Sequence, residues 1–179
     1  MNLKTASVLA TAIITSTSSA NANMLFDIYA GGTVGIGAAT MFADSHAHTD
    51  NAQSYGAVLG IDIPLVRIEG EYNYLNHKEM NMNVAMLNAY LKMPTALVQP
   101  YLGAGIGMIF DGDVDNTNIK IDDKMAYQGM LGLTFDIPVL PFKIDAEARA
   151  LYANNLYTVD NIKPDMLHYD ARLKIRYIF

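Results

Sequence analysis

The chain has 179 residues, enough for one ordinary domain, with 12 Lys and Arg against 18 Asp and Glu and a formal charge of −6. That balance excludes nucleic-acid binding through a basic surface. The absence of cysteine excludes a disulfide framework, a thiolate nucleophile and thiolate metal ligands.

The first element is a leader. Lys4 gives a weakly positive start, Val8–Ile14 is a short apolar run, and Ala20-Asn21-Ala22 has the small-x-small form of a cleavage site. Residues 1–22 are therefore expected to be a signal peptide and 23–179 the mature domain. The apolar run is too short for a spanning helix, and no later stretch reads as one.

The mature chain reads as eight strands. Leu25–Phe42 is the first, rich in Gly and Ala, followed by a polar loop over Ala43–Ala52. Gln53–Ile63 and Val66–Leu75 flank a turn at Pro64-Leu65, where proline presets φ and cannot donate to a ladder. A loop over Asn76–Asn81 leads to Met82–Met93, and Pro94-Thr95-Ala96 turns the chain into Leu97–Phe110. An acidic loop, Asp111–Asp123, precedes Lys124–Ile137, and a turn over Pro138–Pro141 precedes Phe142–Asn154. After a loop over Leu156–Asp165, the final strand Met166–Phe179 stops on an aromatic residue. Short proline turns thus alternate with longer polar connections, the rhythm of a transmembrane barrel with its termini on the short-turn side.

Side chains alternate faces along a strand. In the last strand Leu167, Tyr169, Ala171, Leu173, Ile175, Tyr177 and Phe179 share one face, and Asp170, Arg172, Lys174 and Arg176 share the other. Arg67, Glu69 and Glu71 alternate in the same way with Val66, Ile68 and Gly70, and Lys143, Asp145, Glu147 and Arg149 with Ile144, Ala146 and Ala148. A strand of about 9–11 residues crosses a bilayer, and Arg or Lys at the lipid-facing midplane costs ~2–4 kcal/mol. The apolar faces therefore belong outside and the charges inside. The fold expected is an all-β, eight-stranded antiparallel up-and-down transmembrane barrel. Eight strands enclose only enough space for side chains, so the interior is expected to be a filled ion-pair network: Arg67, Glu69, Glu71, Asp145, Glu147, Arg149, Asp170, Arg172, Lys174 and Arg176. The Glu69/Glu71 pair is expected to face Arg172, Lys174 or Arg176, with partners left open. On this reading Leu173→Arg blocks insertion and Arg172→Leu is tolerated.

Gln99-Pro100-Tyr101-Leu102-Gly103-Ala104-Gly105-Ile106-Gly107, with Leu87-Asn88-Ala89-Tyr90-Leu91 before it, resembles the opacity-type outer-membrane proteins, relatives of the OmpA membrane domain and OmpX. Tyr177-Ile178-Phe179 resembles the C-terminal aromatic signature read by the barrel assembly machinery, with Tyr177 and Phe179 as the assembly signal. The resemblance implies a bacterial outer-membrane location, contact with outer-membrane lipid and lipopolysaccharide, and a structural surface protein, adhesin or antigen whose external loops meet a host or surface ligand. The loops are shorter than those of adhesive opacity proteins, and no peptidoglycan-binding domain follows the last strand.

Other chemistry reads weakly. Asp111, Asp113, Asp115 and Asp122 partly match a calcium loop, but Asn116 stands where glycine is required. Ser45-His46-Ala47-His48 offers two histidines beside Asp44 and Asp50, yet there is no nucleophile elbow. His77 and His168 read as rim residues, and Met80, Met82 and Met86 as space fillers. No cofactor, metal or catalytic residue is assigned. The rivals are a lipid-modifying barrel enzyme, a narrow ion channel and a lipocalin-like carrier with its apolar face inside.

Overall fold

A computed structural model describes residues 26–43, 46–77, 80–95, 97–114, 120–121, 124–137, 140–154 and 165–179. The leader lies outside them, as do the cleavage site and most of the last loop. The strands are β1 Asp27–Ala43, β2 His46–Asp62, β3 Val66–His77, β4 Met80–Lys92, β5 Val98–Val114, β6 Lys120–Ile121, β7 Lys124–Asp136, β8 Phe142–Ala153 and β9 Asp165–Ile178. Each wall strand pairs antiparallel with the next, β6 adds two residues to the far end of β5, and β1 pairs with β9. With β4 also paired to β5, the sheet closes into an eight-stranded barrel. Closure leaves the spanning part of the sheet without edges, as a backbone in hydrocarbon requires.

The proline turns close tightly: Ile63 N donates to Val66 O at 2.8 Å, and Leu140 N to Ile137 O at 3.2 Å. Three connections at the opposite end differ from the sequence reading. The polar stretch 43–52 is nearly all strand, with Ala43 paired to His46. The acidic stretch is partly a hairpin, in which β5 runs on to Val114 and pairs with β6. The stretch 76–81 contributes the ends of β3 and β4. The reason is that an antiparallel ladder needs only backbone partners and a short turn to continue. Polar composition above an apolar belt marks water, not the end of a strand. Residues 111–114 are extended, which removes the wrapped backbone of a calcium loop; Asp115 and Asp122 lie outside the described residues.

The outer face is apolar around the wall. Ile36 is 72% exposed, Leu91 67% and Leu131 62%. Exposed tyrosines 55, 72, 127, 152 and 169 lie toward the loop end, and Phe26, Phe135, Phe142, Tyr177 and Phe179 toward the turn end. Two aromatic girdles flanking an apolar band are the dress of a barrel at two membrane interfaces.

Candidate functional site

The candidate site is the lumen, built from residues of one parity on every wall strand. Bulky inward side chains are admitted by glycines directly across the ladder. Tyr29 faces Gly60, Tyr90 faces Gly103 and Tyr101 faces Gly132. A Cβ at any of these three glycines would collide with the tyrosine ring.

At the turn end, Lys143 Nζ lies 3.7 Å from Asp27, 3.8 Å from Asp62 and 3.5 Å from Asp136, and Lys92 is bonded to Asp62. A cleft of about 600 Å³ opens here, bordered by Phe26, Pro64 and Pro94. Behind it Arg176 grips Asp145 with two bonds of 2.8 and 2.9 Å and reaches Asp62 at 3.1 Å. Arg67 also binds Asp145, at 3.0 Å, and Thr134 donates to the same carboxylate at 2.7 Å. The Arg67 guanidinium lies 4.0 Å from the ring centre of Tyr90 and 4.6 Å from that of Tyr101. Its Nε and Nη2 make no hydrogen bond, and the ring faces supply the attraction instead.

The middle of the lumen is organised by two glutamates. Glu69 accepts from Lys174 and the Tyr29 hydroxyl at 2.6 Å each, and from Tyr90 at 2.9 Å. Glu147 accepts from Tyr101 at 2.9 Å and from Arg172 Nε at 3.0 Å. Above them, Arg172 is bonded to Glu71, which also accepts from Asn88 at 2.6 Å and faces Arg149 at 3.5 Å. Arg149 grips Asp170 with bonds of 2.9 and 2.6 Å, and Ser54 donates to Asp170 at 2.7 Å.

All ten residues assigned to the network are brought together, each with an oppositely charged partner. Glu69 meets Lys174 and Glu71 meets Arg172, whereas Arg176 goes to Asp62 and Asp145. His168 is not at the rim. It is buried, with Nε2 at 3.2 Å from Asp170 and 3.3 Å from Arg149, because the ladder opposite β1 starts above it and turns its parity inward. The sequence reading missed the inward rings of Tyr29, Tyr90 and Tyr101, whose one signal is an aromatic on the charged parity of its strand. Tyr177 and Phe179 lie outside at the turn end, meeting edge to face with ring centres 5.2 Å apart, and Phe142 meets Tyr177 in the same way at 5.2 Å.

The network does not fill the whole lumen. Toward the loop end it gives way to an apolar cluster of Leu75, Met82, Val84, Ile109, Leu151 and Met166, all at 0% exposure. Met86, Ala126 and Ala153 join the cluster, which draws on β3, β4, β5, β7, β8 and β9. Among the described residues no group of His, Cys, Asp or Glu could hold a metal ion.

No family model and no curated protein matches this sequence. Solved structures do. Neisserial surface protein A superposes with a TM-score of 0.62 at 15% identity, over 86% of this chain and 97% of that one. The N-terminal β-barrel domain of Pseudomonas aeruginosa OprF gives 0.56 at 16% identity, over 82% and 97%. With that wall, those girdles and those neighbours, the chain has the fold of the small eight-stranded outer-membrane barrels.

Proposed function

We propose that this chain is an integral protein of the bacterial outer membrane: a non-enzymatic surface barrel that conducts no ions and presents its loops as a structural element, adhesin or antigen. One observation carries the reading. An apolar belt between two aromatic girdles encloses a lumen filled by side chains whose charges are paired and fully buried. The belt faces lipid, lipopolysaccharide meets the loop end, and Tyr177 and Phe179 serve the barrel assembly machinery. A carrier of the lipocalin kind is disfavoured because charge, not an apolar calyx, occupies most of the interior.

The test is made on the mature protein folded in detergent and then in lipid. A closed barrel migrates faster unheated than boiled on a gel, and planar bilayers containing it show no channel events. Lipid A from cells with and without the protein should have the same mass spectrum. Identical migration heated and unheated, steady conductance, or a changed lipid A would each defeat the reading.

A further inference from the structure

The outer wall is not evenly apolar. Across β2 to β5 one register row on the outer face runs Tyr55, Tyr74, Asn83, Phe110. The Tyr55 and Tyr74 rings lie 5.2 Å apart. Tyr72, the next outward residue toward the turn end, has its ring 6.1 Å from Phe110 and donates from its hydroxyl to Asn83 Oδ1 at 2.8 Å. Neighbouring strands are ~4.8 Å apart, so the row is a platform ~14 Å long. It carries ring faces, hydroxyls and an amide, and no charged side chain.

Beneath the platform the wall is hollow. Ala85, in register between Tyr72 and Met108, floors a groove of about 760 Å³ walled by Leu87, Ile106, Met108 and Phe110. Leu87 is 60% exposed and Ile106 46%, so the groove opens into the apolar belt. Unfilled space forfeits the dispersion contacts of its lining, and between the girdles the surrounding molecules are lipids, whose acyl chains fill it. A second outer groove, of about 810 Å³, lies over Ala146, Ala148 and Ala171 between Leu131 and Leu173. No aromatic side chain lines that one, so it takes a chain but offers nothing to a headgroup. The first groove and the platform meet at Phe110, which belongs to both.

We propose that the outer face of β2–β5 holds one glycolipid, with an acyl chain along Ala85 and the sugar headgroup on the row from Tyr55 to Phe110. A sugar ring presents C–H bonds on its face, which suit the negative face of an aromatic ring, and hydroxyls at its edge, which suit the Tyr72–Asn83 pair. A phosphate would find no cation in the row, so the contact is with uncharged sugar. The proposal rests on the outer-membrane reading above, which puts the loop end in the sugar-bearing leaflet.

The experiment takes the mature protein folded in detergent, establishes a closed barrel by heat-dependent migration, and adds equal amounts of phosphatidylethanolamine and deep-rough lipopolysaccharide (the form without an O-chain). Native mass spectrometry then weighs the intact complexes. Wild type should keep one lipopolysaccharide per chain, with a preference of about tenfold over the phospholipid. Ala85→Leu fills the groove from the lipid side, and Tyr74→Ala/Phe110→Ala strips the row; each should lower that retention several-fold. If the double variant does not fold, Tyr72→Phe keeps the ring, removes the hydroxyl that bonds Asn83 and carries the same expectation. Ala148→Leu fills the other groove and should leave retention unchanged. A wild type that forms no heat-modifiable barrel defeats the outer-membrane reading itself. A folded wild type that keeps no lipopolysaccharide, or keeps phospholipid as well, overturns the site. So does an Ala85→Leu variant that behaves as wild type, or an Ala148→Leu variant that loses as much. Paired chains that disappear in Ala85→Leu would give the groove to a second copy and overturn it too.

Discussion

Tyr29, Tyr90 and Tyr101 stand over Gly60, Gly103 and Gly132, and that match of ring to missing side chain is where single residues matter most. Gly103→Val pushes into the Tyr90 ring, and overpacking of this kind costs ~1–3 kcal/mol. Gly129 faces outward into open space, so Gly129→Ala should be neutral or stabilise by up to ~1 kcal/mol through reduced chain entropy. Urea midpoints of the lipid-folded protein, followed by heat-dependent migration, check both. The partners of Arg172 change one sequence expectation. With Glu71 and Glu147 both bonded to it, Arg172→Leu still leaves an apolar outer face for insertion but takes from two buried carboxylates the cation they share. Breaking such a pair costs ~3–5 kcal/mol. The same urea series should show that loss, and adding Glu71→Gln should recover part of it. Leu173→Arg, one residue away and 55% exposed on the outer belt, should instead cost ~2–4 kcal/mol through lipid contact.

At the scale of strands, the alternation of side chains was legible from the sequence because a strand has only two faces and a membrane barrel gives them opposite solvents. Strand ends toward the loops were not legible, since water on both faces erases the alternation that marks them. The charged face of β9 could be read from Asp170 to Arg176, but the pairing of Lys174 with Glu69 could not. That choice depends on which strands face one another across the ring, and the two residues lie 105 positions apart. The apolar cluster escaped notice for a related reason: Leu75, Leu151 and Met166 carry no charge, and an apolar residue on a charged parity looks like an interruption. The end of β9 makes its own prediction. Phe179 N donates to Ile28 O at 3.0 Å, and its ring packs on Tyr177. If these aromatics are read by the assembly machinery, Phe179→Ser should lower the heat-modifiable form in cell membranes several-fold while refolding from urea into detergent changes little. Equal losses in both settings would assign Phe179 to stability alone.

For the molecule as a whole, burial decides how salt acts. The pairs Arg67–Asp145, Arg149–Asp170, Arg172–Glu147 and Lys174–Glu69 have no exposed side-chain surface. Exposed pairs separated by more than a Debye length, ~10 Å at 0.1 M, are screened, while buried ones are screened much less. The unfolding midpoint should therefore shift little between 0.1 and 1 M NaCl, and a large fall would mean that water reaches the network.

The cross-lumen contacts also divide the protein by sign. Below the apolar cluster, β1–β4 contribute Arg67 and Lys92 against Asp27, Asp62, Glu69 and Glu71, an excess of acid. The strands β5–β9 contribute Lys143, Arg149, Arg172, Lys174 and Arg176 against Asp136, Asp145, Glu147 and Asp170, an excess of base. Each half-sheet answers part of its charge internally, as Arg149–Asp170 and Lys92–Asp62 do, but keeps a surplus that only the other half can pair. Closing the two seams, β1 to β9 and β4 to β5, lets the surplus carboxylates of the first half meet cations of the second, Glu69 on Lys174 and Glu71 on Arg172 among them.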